Sequence, residues 1–388
     1  MRIGMLLMGG TYPPDIRVAK EAKVLVGGGH EVFLLTSDKD GRPAAEEVDG
    51  VRVRRYAARA GWLASKCSAL ATYATWRSPL WEKAIDRYVQ EHALQALHVH
   101  DLPAVASALA VGRRRGVSVV YDMHENYPAA VGFWPRGLVA RLLQTPGRYR
   151  RYERSAVTSV DRVVTVVDES RDRVLALGVD PSRATVFTNV DDAEGVSTWR
   201  PADGAFTVAY AGGFGPHRGL DSLVRAIAIA SERIPGVRLV LMGSGSGEGE
   251  LRALVDRLGL GESVEFTGWI GLEAMRARLA AAHVGAVPHL ANEHTDSTIP
   301  HKLFQYMAMG LPVLVTDCAP LARVVHETGA GVVARSGDPE SIASAIVELS
   351  DPRLAHEASR AGLNAVAERY NLANEGQALL DLYEGLAT

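Results

Sequence analysis

The stretch STIPHKLFQYMAMGLPVLVTD, Ser297 to Asp317, contains a helix, its stop and the strand behind it. Ser297 or Thr298 can cap the helix, Pro300 suits its first turn, and Gly310 ends it. The apolar run Pro312–Thr316 that follows reads as a strand. Working outward, the same alternation recurs. Strands are expected at Phe206–Ala211, Val237–Met242, Val264–Phe266, Gly285–Pro288 and Gly331–Ala334, with helical stretches between them. The first half repeats the pattern, with strands at Arg2–Met8, His30–Thr36, Ala96–His100, Val117–Met123, Arg162–Val167 and Ala184–Thr188. Helices are expected at Ile16–Gly27, Ala104–Arg115 and Ser170–Leu177. Short apolar strands alternating with longer helices make parallel sheets covered on both faces. Between the two runs, Asp191–Asp203 is polar, with Gly195 and Pro201 and no hydrophobic period, so it reads as a linker.

The fold class is therefore α/β, with two doubly wound, Rossmann-like domains facing across a cleft. We expect an N-terminal domain at 1–190, a linker at 191–204, a C-terminal domain at 205–368, and a C-terminal helix at 369–388 that packs back on the first domain. In such sheets ligands sit beyond the carboxyl ends of the strands. A length of 388 residues, 47% hydrophobic and 22% charged, suits two or three globular domains and excludes a disordered or fibrous chain. The net charge of −3 gives no global nucleic-acid signal. Cys67 and Cys318 are too few for a disulfide scaffold and lack metal-ligand spacing. No export signal opens the chain and no apolar run is long enough to span a membrane, so the expected location is the cytoplasm.

Lys302 breaks a local rule. It lies in the first turn of its helix, where the dipole disfavours a cation, and it is the only lysine after residue 83 in a chain that otherwise uses Arg. That points to a bound anion, most simply a phosphate, against the alternative of an ordinary exposed surface lysine. Gln305 lies on the same face. A second phosphate element is YAGGFGPHRGL, residues 210–220, where a strand enters a glycine-rich turn that ends on Arg218. Together Arg218 and Lys302 form a two-cation clamp for a diphosphate. The string LMGSGSGEG, residues 241–249, has the glycines of a dinucleotide fingerprint but not its position or its acidic partner. YDMHENYP, residues 121–128, and HVHD, residues 98–101, end strands of the first domain with His124, Glu125, His100 and Asp101, and GGTYPP, residues 9–14, would border the same cleft. Each of these histidines could instead be a satisfied structural residue. Asp38 and Asp40 have the spacing of a metal-binding pair but read as a solvated turn, so no metal is expected.

These residues resemble the retaining, nucleotide-sugar-dependent GT-B glycosyltransferases of family 4. The resemblance runs through the glycine-rich first loop, Asp15–Glu21, His30–Val32, Asn189–Asp191, the Gly213…Arg218-Gly219 turn, Val264–Gly268 and the Pro300–Gly310 helix. It implies a sugar transfer from a nucleoside-diphosphate sugar, commonly UDP-linked, to an acceptor hydroxyl, with no cofactor and no metal. Arg218 and Lys302, with Ile299, Pro300 and His301, would hold the diphosphate. Trp269, Ile270, Met242 and Gly243 would border the base, and Gln305 would bind the ribose in place of the family's glutamate. His124 would act on the donor sugar, with Asp296 as a further catalytic carboxylate. Gly10, Gly213, His217, Ser297 and Thr298 complete the expected donor site, and Tyr12, Asp15, His100, Asp101 and Glu125 the acceptor side. Eight residues before Gln305, where the family places an acid, this chain has Ser297, with Asp296 and Glu293 just before it. A nucleotide-sugar epimerase of GT-B fold and a non-catalytic nucleotide-sugar binding module are the alternatives.

One surface feature remains. Phe133–Arg154 carries six arginines among Trp and Tyr, and Trp62, Trp76 and Trp81 accompany Lys66, Arg77 and Lys83 upstream. Basic helices with aromatic residues suit an anionic membrane interface, which would place a lipid-linked acceptor beside the cleft. A solvated helix with core tryptophans is the alternative. The expected partners are thus the donor and a glycan, lipid-linked or small-molecule acceptor.

Overall fold

The computed structural model describes residues 1–38, 41–56, 68, 71–72, 74–133, 143–190 and 204–387. It divides into two compact units, Met1–Thr188 with Leu372–Thr388, and Asn189–Asn371.

The first unit is built on an eight-stranded sheet of order β3-β4-β2-β1-β5-β6-β7-β8. Its strands are β1 Arg2–Leu7, β2 Glu31–Ser37, β3 Ala45–Val48, β4 Val51–Tyr56, β5 Ala96–His100, β6 Ser118–Met123, β7 Arg162–Thr165 and β8 Ala184–Val186. All pairs are parallel except β3 with β4. The five residues of β5 are all buried, as strands covered on both faces require. Helix α1, Ile16–Gly27, starts where the Asp15 carboxylate accepts the Val18 N–H. Helices α2 Pro79–His92, α3 Leu102–Arg115, α4 Pro146–Ser159 and α5 Asp168–Ala176 follow.

The sequence reading passes over β3, β4 and α2. The β4 strand alternates buried Val51 and Val53 with exposed Arg52 and Arg54. Those arginines pair with Glu31 and Glu91, so the charged half of the strand conceals it. Trp76 and Trp81 pack against the core of this unit, and Trp76 stacks on Tyr152 with ring centroids 4.5 Å apart. Trp62, Lys66, residues 134–142, Asp40 and the linker 191–203 lie outside the described residues.

The second unit has a six-stranded, all-parallel sheet of order β11-β10-β9-β12-β13-β14. Its strands are β9 Thr207–Ala211, β10 Arg238–Met242, β11 Val264–Gly268, β12 Val284–Val287, β13 Val313–Thr316 and β14 Gly331–Ala334. Helices α6 Leu220–Ala230, α7 Glu248–Arg257, α8 Leu272–Ala280, α9 His301–Ala308, α10 Ala319–Thr328, α11 Pro339–Glu348 and α12 Pro352–Glu368 cover it. The strand order reverses beside β1 in the first sheet and beside β9 in the second, and ligand crevices of open α/β sheets form at such points.

Helix α13, Leu372–Ala387, belongs to the first unit, where it packs on α1 and buries Leu379 and Tyr383. Asn189 and Val190, read above as the end of the first domain, belong to the second unit, where the Asn189 side chain donates to the Ile299 carbonyl at 2.8 Å. Among the described residues, no helix is long and apolar enough to cross a membrane.

Candidate functional site

In the second unit the switch-point strands β9 and β12 end on two loops that meet. After β9 the chain turns through Gly212 and Gly213 to a single helical turn, Pro216–Arg218. Gly219 then adopts φ +62°, and a Cβ there would lie 1.9 Å from the Pro288 carbonyl oxygen beyond β12. Only glycine permits that approach. The Leu290 N–H donates to the His217 carbonyl at 3.0 Å, completing the join.

The join aims Arg218 and Lys302 at one region. Lys302 is only 9% exposed, so it is not the surface lysine of the alternative reading. Its Nζ lies 3.7 Å from the centroid of the Tyr210 ring and close enough to Gly212 that a Cβ there would come within 2.6 Å. Tyr210 is held in turn by donating to the Gly213 carbonyl at 2.8 Å. One turn beyond Lys302, the Tyr306 hydroxyl accepts the Ala211 N–H at 2.8 Å and ties α9 to the end of β9.

Arg218 Nη1 donates to His289 Nε2 at 2.9 Å. His217 packs edge-on against both His289 and His294. Among the described residues, no carboxylate pairs with Arg218 or Lys302. Burial, then the Arg218 charge, pushes the Lys302 ammonium well below its ordinary pKa. Burial and the charges of Arg218, His294 and Lys302 lower His217 to about 4. Arg218 and Lys302 thus disfavour each other's charge with no described carboxylate to offset them, a strain that a bound anion would relieve.

Helix α9 begins at His301, two or three residues later than a cap at Thr298 or Ser297 would place it. Pro300 occupies the cap position and no side chain caps the helix. Ser297 instead lies in a short 3-10 turn, where its hydroxyl donates to the carbonyls of Glu293 and His294 at 2.7 and 3.1 Å. Thr298 is extended, with φ −152°. The expectation that Ser297 or Thr298 caps the helix is corrected on this point, because the turn consumes one and the strand-like backbone carries the other past the helix end. Asp296 Oδ1 accepts the Ala319 N–H at 2.9 Å, at the start of α10. Ile299 is buried and Gln305 is half-buried. Met242 ends β10 and Gly243 follows it. A Cβ on Gly243, at φ +139°, would come within 2.1 Å of the Gly212 carbonyl oxygen, so this loop and the first glycine turn are in backbone contact. Ile270 is half-buried, and Trp269, just past β11, is 80% exposed with a free face for stacking.

In the first unit the candidate residues converge on a buried network at the ends of β1, β5 and β6. Arg17, on the inner face of α1, donates to Asp122 through Nε at 3.0 Å and Nη2 at 2.6 Å, and its Nη2 lies 3.0 Å from Glu21. Asp122 Oδ2 also faces His100 Nδ1 at 3.0 Å and His124 Nε2 at 2.5 Å. His98 Nε2 lies 3.0 Å from Glu21, and its Nδ1 meets the Tyr383 hydroxyl of α13 at 2.7 Å. Burial opposes charging His124, but the Asp122 and Asp101 carboxylates prevail and hold it up at about 10. His98 is held at about 9 by Glu21 and Asp122 against the same burial. His100 is lowered by burial and by its charged neighbour His98. Burial opposes ionising Asp122, yet Arg17 and His124 keep it well below the usual carboxylate range.

Asp101 adopts φ +70°, and its Oδ1 lies 3.8 Å from His124 Nδ1, too far for a hydrogen bond. Glu125 is half-buried next to His124. Tyr12 is only 2% exposed and forms part of the core, Asp15 caps α1, and Gly10 accepts from the Thr36 hydroxyl at 3.1 Å. His100, Asp101, Glu125 and His124 are thus brought together, whereas Tyr12 and Asp15 serve the fold. Glu21, His98, His100 and Asp122 offer donor atoms within 4.8 Å of one another, but Arg17 already spans both carboxylates and supplies the positive charge that a cation would bring. Arg17, Glu21, Asp122 and His289 were not among the residues selected from the sequence. The available signal was Arg17 and Glu21, four residues apart on the apolar face of an amphipathic helix.

Residues 15–189 match the family described as Glycosyl transferase 4-like domain, and residues 205–351 match Glycosyl transferases group 1. The D-inositol 3-phosphate glycosyltransferase of Nocardia farcinica is 29% identical over 253 residues, 60% of this chain and 54% of that protein. The chain thus spans about half the length of that relative. The phosphatidyl-myo-inositol mannosyltransferase of Mycobacterium leprae is 24% identical over 314 residues, 80% of this chain and 79% of that protein. Among solved structures, the sucrose-phosphate synthase of Thermosynechococcus elongatus superposes with a TM-score of 0.81 at 19% identity, covering 100% of this chain and 99% of its own. Anabaena HepE in complex with UDP and glucose gives 0.73 at 16% identity, covering 100% of both chains.

Proposed function

From the premise that this chain is a GT-B glycosyltransferase, made of a glycosyl transferase 4-like domain and a glycosyl transferases group 1 domain, we propose that it moves a sugar from a nucleoside-diphosphate donor to an acceptor hydroxyl with retention and without a metal. One observation carries this reading: Arg218 and the buried Lys302 point at one region beside the β9 and β12 ends, with no described carboxylate to neutralise them. A diphosphate supplies the missing negative charge. The bond from the sugar to the diphosphate breaks, the acceptor oxygen takes its place on the same face, and the acceptor proton passes to the leaving oxygen. The protein contributes by stabilising charge on the departing diphosphate. His124, held protonated, acts as a hydrogen-bond donor to the sugar and not as a base. Trp269 stacks on the base, Gln305 binds the ribose, and Asp101 with Glu125 faces the acceptor.

We read the leaving group as UDP, the commonest in the family this chain resembles, and the acceptor as a phosphorylated or lipid-linked polyol, in keeping with the names of the two relatives. A thermal-shift panel of UDP, GDP, ADP and dTDP tests the reading. One diphosphate should stabilise the wild type and not Lys302→Ala. Equal stabilisation of both proteins would refute it.

A further inference from the structure

We infer that His289 is a positioning residue for Arg218, a neutral acceptor that aims the guanidinium while leaving its full charge for an anion. The inference rests on the role proposed for Arg218. An arginine carries only donors, so at 2.9 Å His289 Nε2 must present its lone pair, which puts the ring proton on Nδ1. The residue is buried and its backbone is anchored. His289 is 3% exposed, and its own carbonyl accepts from the Thr316 hydroxyl at 2.5 Å and from the Cys318 thiol at 3.5 Å. The Arg218 turn is docked on the same loop by the Gly219 approach to Pro288 and the Leu290–His217 hydrogen bond.

Among the described residues, the charged and titratable groups that act on His289 are Arg218, Lys302, His217 and His294, and none of them is acidic. Burial and these neighbours keep its pKa far below that of an ordinary histidine, so the acceptor form persists at neutral pH. A carboxylate here would also orient Arg218, but it would cancel the charge that the diphosphate needs. A neutral imidazole orients without neutralising.

The test is isothermal titration of the full chain with UDP and GDP, each against its own nucleoside, following the pair that binds the wild type. His289→Leu should weaken diphosphate binding by roughly tenfold or more, as loss of orientation does, and leave nucleoside binding unchanged. His289→Gln, whose Oε1 can accept from Arg218, should stay within about threefold of wild type and guards against misfolding of the leucine variant. In an Arg218→Ala background, His289→Leu should cost nothing further, because the two act through one contact. Parallel loss of nucleoside binding, or an equal added loss in the Arg218→Ala background, marks a merely structural role and overturns the inference. An Arg218→Ala effect without a His289 effect overturns this inference alone. Unchanged diphosphate binding in Arg218→Ala overturns both this inference and the function assigned to Arg218.

Discussion

Replacing Asp122 by Asn keeps the shape of the first-unit network and removes the charge at its centre. Asp122 faces Arg17, His100 and His124, all within 3.0 Å. With His124 at about 10 against 6.5 in an ordinary setting, and about 1.4 kcal/mol per unit, its charged form is favoured by on the order of 5 kcal/mol. Breaking a buried pair from one side costs a similar ~3–5 kcal/mol. The sign follows from linkage. A pKa raised by folding stabilises fully below the unfolded value and loses that contribution as pH climbs through the folded one. For His124 this leaves about 4 kcal/mol at pH 7 and under about 1 kcal/mol at pH 9.5. Asp122→Asn should therefore be less stable than wild type by about 4 kcal/mol or more at pH 7, with the His124 share of the gap fading by pH 9.5 and the share of Arg17, charged at both pH values, remaining. Urea unfolding at both pH values, followed by tryptophan fluorescence, measures it, since Trp76 and Trp81 pack on this unit's core. A gap below about 1 kcal/mol at pH 7 refutes the charge network as the source of stability, and a gap that does not narrow at pH 9.5 refutes the share assigned to His124.

Arg218→Ala and Lys302→Ala should each slow sugar transfer by ~100-fold or more, and near wild-type rates in both would dismantle the diphosphate clamp. Transfer should persist in excess EDTA, because the two cations already offset the leaving group; complete loss on chelation, restored by Mg²⁺ or Mn²⁺, contradicts this. Arg77, Arg113, Arg148 and Arg151 line one groove of the first unit. The protein should accordingly co-sediment with anionic vesicles at low salt and not with neutral ones, and absence from the anionic pellet ends the membrane reading.

The alternation of apolar runs and helical stretches was enough to read the parallel sheets, because strands covered on both faces leave an unbroken apolar record. Helix α1 and strand β5 fall on the expected residues for that reason. The β3–β4 hairpin was hidden because a strand with one wet face shows its arginines as plainly as its valines. Lys302 and Arg218 were legible as departures from local rules, one against a helix dipole and one closing a glycine turn. The cap of α9 was misread because Ser297 belongs to the preceding 3-10 turn and the backbone runs extended through Thr298, so the helix starts at His301. The Arg17–Asp122 pair joins residues 105 apart, and His289 meets Arg218 across 71. No local pattern encodes such partners, since each is settled by which strand ends the fold brings together.

The return of α13 to the first unit has a consequence for biosynthesis. His98 and Tyr383 are 285 positions apart, yet one hydrogen bond joins them. Domains ordinarily mature on the ribosome in N-to-C order. Here the unit that is made first must wait for the last helix, while Asn189–Asn371 has all its own strands beforehand. During that interval the nascent first unit lacks the cover that Leu379 and Tyr383 provide, leaving apolar surface exposed to chaperones or to other unfinished chains. A stop codon just before Leu372 would thus injure the half of the protein translated earliest and leave the later half complete.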